Sequence, residues 1–354
     1  MQVSVPYFLA EIVIAITAVV GNSLVLVAYA RSSRLQTVTN YFIVSLAIAD
    51  FLVGLVGVPF ALLTGEGQPH NFYGCLIMLT FLLWLCATST FSLIGVTVDR
   101  YIAVAFPLKY PAIMTTRRAL ATIVGSWILA GIVGFLPVVG WNRGEPEVPR
   151  CIFMQVIDMK YMAFNCLVVI FVPFTVMLVL YGFIYRAIRK QLRRVGISGG
   201  MLSNPPSTIS GVTTVGNANV RRKRRFSAYK RDVKAVKSVG VIILVFAFCW
   251  LPLSIINSRT ALCPDCTPPS ATVFNVVIVL SHVNSAVNPF IYAYGKDFRV
   301  AYKRTICKLF PCCSYCMDGG MPGTTVAAMG MSMHYGDGAV ESVTEPERVQ
   351  ALKP

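Results

Sequence analysis

Seven blocks of this chain stay apolar long enough to cross a bilayer, and that count restricts the fold more than any other feature. They fall at roughly 6–30, 40–63, 73–104, 119–140, 159–186, 235–262 and 270–294. Hydrophobic residues make up 56% of the chain and charged residues only 13%, about half the charged share of a soluble domain. Inside hydrocarbon a backbone amide finds no water, so each block must satisfy its own hydrogen bonds as a helix. The expected fold is an all-α membrane protein, a seven-transmembrane helix bundle. The first block begins beside Met1 with no basic stretch ahead of it, so it reads as a span rather than a signal peptide.

The net charge of +16 is not spread evenly. Basic residues gather between the first and second blocks (Arg31, Arg34), between the third and fourth (Lys109, Arg117, Arg118), between the fifth and sixth, and after the seventh. The positive-inside rule then places the N-terminus outside and the C-terminus in the cytoplasm of a multi-pass plasma-membrane protein. Charge on alternate loops fits topology and gives no case for nucleic acid. Residues 1–310 read as the membrane domain, with 196–225 as a flexible basic cytoplasmic linker and 311–354 as a disordered tail. Between them, 297–309 carries Phe298, Ala301, Tyr302, Ile306 and Leu309 at helical spacing, an amphipathic helix expected to lie on membrane lipid.

Polar groups inside the blocks mark the chemistry. Asp50, Ser89, Asn284 and Asn288 fall at similar depth in three spans, an oxygen-rich set suited to sodium or to a buried hydrogen-bond network. Asp99-Arg100-Tyr101 ends the third span, with Arg100 following Cys75 by 25 residues; Asp232 at the start of the sixth span is a candidate latch partner for Arg100. Glu11 in the first span should face the bundle interior, and Pro59, Pro173 and Pro252 are expected kinks. Cys75 and Cys151 both fall at outer ends, where a disulfide can form. Cys263 and Cys266 invite a zinc reading but fit a loop disulfide better. Cys307, Cys312, Cys313 and Cys316 read as lipidation sites beside the amphipathic helix. Gly196-Ile197-Ser198-Gly199-Gly200 matches a hydrolase elbow by chance, since no strand precedes it. No cofactor fingerprint appears, and an enzyme is not expected.

Gly21-Asn22, Leu46 to Asp50, Cys75, Asp99-Arg100-Tyr101, Trp127, Pro173, Cys249-Trp250-Leu251-Pro252 and Asn288-Pro289 through Tyr292 together resemble the class A, rhodopsin-like G-protein-coupled receptors. Within that class the chain is most similar to adenosine receptors, through Thr39-Asn40-Tyr41-Phe42, Gly140-Trp141-Asn142, Leu253 to Asn257, Cys263-Pro264-Asp265-Cys266 and Leu280 to Ser285. The resemblance implies a receptor for extracellular adenosine or a related purine nucleoside that changes cyclic AMP through a heterotrimeric G protein. It implies a pocket in which Phe153 stacks on the purine and Asn257 pairs with its amine and ring nitrogen. Ser281 and His282 meet the ribose, Glu11 holds the His282 tautomer, and Leu253, Ile278, Asn165 and Trp250 form walls and floor. It also implies a switch built from Asp99, Arg100, Tyr101, Asp232, Tyr181 and Tyr292, and an allosteric sodium at Asp50. This chain departs from the family at Met154, where an acceptor glutamate is common, at Ser254 for a histidine, and at Cys86 for a threonine. Tyr161 and Met162 compete for one wall position. The alternative is a class A receptor for another small ligand. A transporter or channel is disfavoured because no internal repeat is apparent.

Overall fold

The computed structural model describes residues 4–200, 214–263, 265–293 and 295–309, with side chains described for all of these except 191–236, 238 and 309. Seven helices long and apolar enough to span a membrane are present among them. They are α1 (Val5–Arg31), α2 (Val38–Gly65), α3 (Phe72–Ala105), α4 (Thr116–Gly134), α5 (spanning Met159–Lys190), α6 (Thr214–Leu262, spanning from Val239) and α7 (Ala271–Tyr292). An eighth, α8 (Lys296–Leu309), follows the last span. No strand occurs among the described residues, only an isolated bridge between Asn142 and Ile157.

Local chemistry starts and stops these helices. The Asn71 side chain caps α3 by accepting from Gly74 N at 2.9 Å, and Asp158 caps α5 by accepting from Lys160 N at 2.6 Å. The fourth span was expected to reach residue 140, but α4 stops at Gly134 and turns follow. Leu136 precedes Pro137, and a proline pushes the residue before it out of helical geometry. The carbonyl of Val133 left open by that ending accepts from Tyr161 Oη at 3.2 Å. Helical backbone also enters the expected linker from both sides, to Gly200 and from Thr214. Arg221 to Arg225, at the α6 side, are good helix formers, whereas the α5 side enters through Gly196-Ile197-Ser198-Gly199-Gly200.

The prolines divide into two kinds. Pro59 and Pro173 each follow a π-helical turn, Val53–Gly57 in α2 and Cys166–Phe171 in α5. A π turn takes in one extra residue and rotates everything beyond it by about 100° relative to an α-helix. Pro252 and Pro289 lie inside α6 and α7 without such a turn.

Apolar side chains gain little from helix association in lipid, so close packing and interhelical hydrogen bonds must hold the bundle. The outward face of α1 (Val5, Leu9, Val13, Ile16, Val20) is accordingly exposed. One tight seam joins α3 to α4. A Cβ on Gly134 would stand 2.8 Å from Trp84 Cα, a backbone atom that no rotamer can move. Nearby, Trp127 Nε1 donates to Ser45 Oγ at 3.0 Å and Trp84 Nε1 to the Trp127 carbonyl at 3.2 Å. Gly134→Ala is therefore expected to destabilise the fold by about 2 kcal/mol. Gly125→Ala, with open space around its Cβ, should be near neutral. Thermal melts of the two detergent-solubilised variants make the comparison.

Candidate functional site

At the end of the bundle that carries the disulfides, a buried acid–base pair ties α1 to α7. His282 Nδ1 lies 2.8 Å from Glu11 Oε2 and 3.0 Å from Oε1, and the two residues are 271 apart in sequence. Glu11 is 0% exposed and His282 5%. A neutral imidazole donating from Nδ1 to the carboxylate presents Nε2 as an acceptor. Beside it the Ser281 hydroxyl donates to the Ile278 carbonyl at 2.7 Å, which leaves its oxygen able to accept. Two neighbouring acceptors suit hydroxyl donors on a ligand. Ile278 packs with Tyr7, Val58 and Leu62, forming a wall shared by α1, α2 and α7.

On α6, Trp250, Leu253, Ser254 and Asn257 share one face by their three- and four-residue spacing. Ser254 and Asn257 are 2% and 3% exposed. The π turn in α5 begins at Cys166, and the Cys166 thiol interacts with Ser254, Ser258 and Asn257. Two polar atoms of this region are buried with no partner in the described structure, Trp250 Nε1 and Asn165 Oδ1. Such groups are commonly satisfied by a ligand or an ordered water.

Phe153 reaches the same region from a loop. Cys151 is disulfide-bonded to Cys75 in the first turn of α3, with Cα atoms 5.4 Å apart, and Phe153 opens a short helical turn just after it. Phe153 and Met154 pack against a cluster containing Cys75, Leu79, Tyr161, Met162 and Cys166. Cys166 thus belongs to the cluster under Phe153 and also meets Asn257. Tyr161 is spent on α4 through its hydroxyl, so of the two residues competing for one wall position, Met162 remains. A second disulfide joins Cys263 to Cys266 in the loop after α6. Among the described residues no group of three or more potential metal-binding His, Cys, Asp or Glu side chains occurs.

Asp50 organises the middle of the bundle. It is 0% exposed. Its Oδ1 accepts from Ser89 Oγ at 2.7 Å and Ser285 Oγ at 2.8 Å, and its Oδ2 from Asn288 Nδ2 at 2.7 Å. Sequence depth alone picked Asn284, but the adjacent Ser285 is the one bonded to the carboxylate. Asn284 is buried in α7 and is not among the partners of Asp50. Side chains one residue apart differ by about 100° around a helix, a rotation that depth cannot resolve.

At the opposite end, Asp99 Oδ2 accepts from Arg100 Nε at 3.0 Å, while Asp99 Oδ1 accepts from Tyr110 Oη at 2.8 Å. Because the Tyr110 proton goes to Asp99, Thr39 Oγ1 donates to Tyr110 Oη at 2.8 Å and accepts from Arg100. Burial, together with the neighbouring Asp99, raises the Tyr110 pKa, which keeps the phenol a donor. Sequence reading missed Thr39 and Tyr110, since nothing local marks them as partners of a charge pair. Tyr101 makes edge contacts with Phe106 and a tilted one with Phe183. Tyr292 Oη is buried without a hydrogen-bond partner among the described residues, and its ring lies 5.7 Å from Phe298 of α8. Phe298, Ala301 and Tyr302 are buried, and Tyr302 Oη donates to the Pro289 carbonyl at 3.3 Å. Asp232 lies outside the residues whose side chains are described, and Cys312, Cys313 and Cys316 lie outside the described residues. Cys307 lies on α8.

The family described as 7 transmembrane receptor (rhodopsin family) matches residues 21–292. The chain is 39% identical to human adenosine receptor A2a over 315 residues, which cover 85% of this chain and 72% of that protein. It is 37% identical to mouse adenosine receptor A2b over 326 residues, covering 86% and 91% respectively. With chicken adenosine receptor A2b the identity is 34% over 336 residues, covering 87% and 92%.

Proposed function

Since this chain belongs to the rhodopsin family of seven-transmembrane receptors and, within it, to the adenosine receptors, we propose that it binds extracellular adenosine and changes cytoplasmic cyclic AMP through a heterotrimeric G protein. It is a receptor, not an enzyme. The basic loops at the Arg100 end face the cytoplasm, and the disulfide end faces outward. One observation carries the choice of ligand class. Asn257 is a carboxamide 3% exposed that donates to the Cys166 sulfur, a weak acceptor. A buried amide held so lightly is free to pair with a base that offers one donor and one acceptor side by side, as the amine and ring nitrogen of adenine do.

The purine lies between the Phe153 ring and α6, over Trp250, with its ribose toward Ser281 and Nε2 of His282. Leu253, Ile278 and Asn165 complete the wall. Ligand binding favours an arrangement in which α6 pivots at Pro252 and Arg100 leaves Asp99 for the G protein, with Tyr101, Tyr181, Tyr292 and Asp232 as the surrounding switch residues. Efficacy equals the difference in ligand affinity between the two arrangements. The amphipathic α8 lies along the inner membrane surface, its Arg299, Arg304 and Lys308 toward the lipid headgroups. Adenosine applied to cells expressing the full chain should shift cyclic AMP. Absence of any shift at verified surface expression sinks this reading.

The Asp50 site fits a sodium ion. Its carboxylate is fully buried and meets hydroxyl and amide groups but no basic side chain among the described residues. An unpaired buried carboxylate is costly, and a cation or a proton beside it removes that cost. Asp50, Ser89, Ser285 and Asn288 would hold the ion, which would supply the missing positive charge and favour the resting arrangement. If sodium lowers agonist affinity about fivefold or more in the unaltered receptor, Asp50→Asn should cut that effect to less than about twofold. Radioligand competition with and without sodium reads it, and undiminished sensitivity removes the ion from the mechanism.

A further inference from the structure

Near the Arg100 end, Tyr181 of α5 and Gly240 of α6 meet with no space between them. A Cβ built on Gly240 would lie 2.6 Å from Tyr181 Oη, 2.9 Å from Cζ and 3.1 Å from Cε2. The phenol occupies the place that any side chain at 240 would take. Gly240 is buried, and no hydrogen bond holds the Tyr181 hydroxyl among the described residues, so the fit is steric. Closer to the membrane centre the same α5–α6 seam is closed by Phe174 on Phe246, with centroids 6.5 Å apart and planes at 26°. Tyr181 also packs with Tyr101 against Val104, Ile184 and Ile188. Val104 stands one helical turn after Arg100. The phenol is therefore wedged among α3, α5 and α6, meeting α3 about one turn beyond Arg100.

We infer that Gly240 is a seat for Tyr181 that keeps the G-protein-facing end closed. α6 stands this near α5 and α3 because position 240 has no side chain. In the same arrangement Arg100 is held by Asp99 and Thr39 rather than offered to a partner. Packed seams switch between discrete arrangements more readily than they bend. A single methyl at 240 evicts the phenol or moves α6 outward, and either outcome removes support from the closed arrangement alone. This inference rests on the receptor reading above.

The test uses the full-length receptor in cells, reading agonist-free displacement of cyclic AMP in the direction adenosine drives it, normalised to surface receptor. Gly240→Ala should raise that signal about five- to tenfold and raise agonist affinity in the same sense. Gly182→Ala, next to Tyr181 but with nothing within 4 Å of its Cβ, should match the unaltered receptor. In a Tyr181→Ala background, adding Gly240→Ala should no longer change agonist affinity, because the colliding ring is gone. Agonist affinity reports the equilibrium without needing G-protein output from the Tyr181 variant. Equal agonist-free signal in Gly240→Ala and the unaltered receptor overturns the seat, as does an equal affinity shift in both Tyr181 backgrounds. If Gly240→Ala fails to reach the surface, recovery in the double variant supports the collision, and failure of both overturns it. An unaltered receptor that ignores adenosine defeats the function, whereas a normal adenosine response with a silent Gly240→Ala defeats the seat alone.

Discussion

Asn257→Ala lowers adenosine affinity by about a hundredfold or more while the receptor still reaches the surface and holds its fold. The expected size follows from what the carboxamide does. Its two hydrogen bonds to adenine contribute about 1 kcal/mol each, and losing the amide leaves a buried ligand donor and acceptor unpaired, at about 1 kcal/mol or more again. About 3 kcal/mol corresponds to slightly over a hundredfold in affinity. The fold survives because the contact of Asn257 with Cys166 is a soft one to sulfur. The control is a nucleoside whose amine is replaced by a carbonyl. It should bind the unaltered receptor weakly and lose little further affinity on Asn257→Ala. Equal losses for both nucleosides would mean that Asn257 acts by shaping the cavity rather than by reading the base.

His282→Leu should cost more, because it damages fold and pocket together. Glu11 is completely buried; Tyr7 hydrogen-bonds it from its own helix, and His282 is its basic partner across two helices. Removing one member of a buried pair strands the other, typically at about 3–5 kcal/mol. The expected result is a receptor that melts far below the unaltered one and binds no detectable adenosine. Glu11→Gln should be mild, since a carboxamide oxygen still accepts from Nδ1. The double variant Glu11→Leu/His282→Leu separates the two effects. Two apolar residues of similar volume leave no stranded charge, so the melt should recover. Binding should not, because the Nε2 acceptor is absent. If the double variant binds adenosine normally, His282 has no part in holding the ligand.

Much of the architecture could be read from residues in order. Seven apolar blocks became seven spans, with ends shifted by a few residues except in α4, where the turn before Pro137 cut six residues; the helical backbone of the fifth and sixth runs on beyond their spans, to Gly200 and from Thr214. The adenosine-receptor resemblance rested on runs such as Leu253 to Asn257, and the relatives agree with it. The candidate site was legible as a set of residue types but not as a set of partners. Ser285 was overlooked beside Asn284, and Tyr110 and Thr39 carried no mark of their bonds to Asp99 and Arg100. The ambiguity between Tyr161 and Met162 has a physical source in the π turn at Cys166–Phe171, which adds one residue between them and Pro173.

Hydropathy is a sum over neighbouring residues, so span number, span length and the sign of the flanking loops were determined by the chain's order alone. Rotation about each helix axis was not. One extra residue in a π turn re-aims every side chain beyond it, and composition does not record it. Pairings such as Glu11 with His282, Asp50 with Ser285 and Tyr181 with Gly240 join residues remote in sequence. Only the packed bundle brings them within a few ångströms, because each contact depends on the azimuth and spacing of two helices at once.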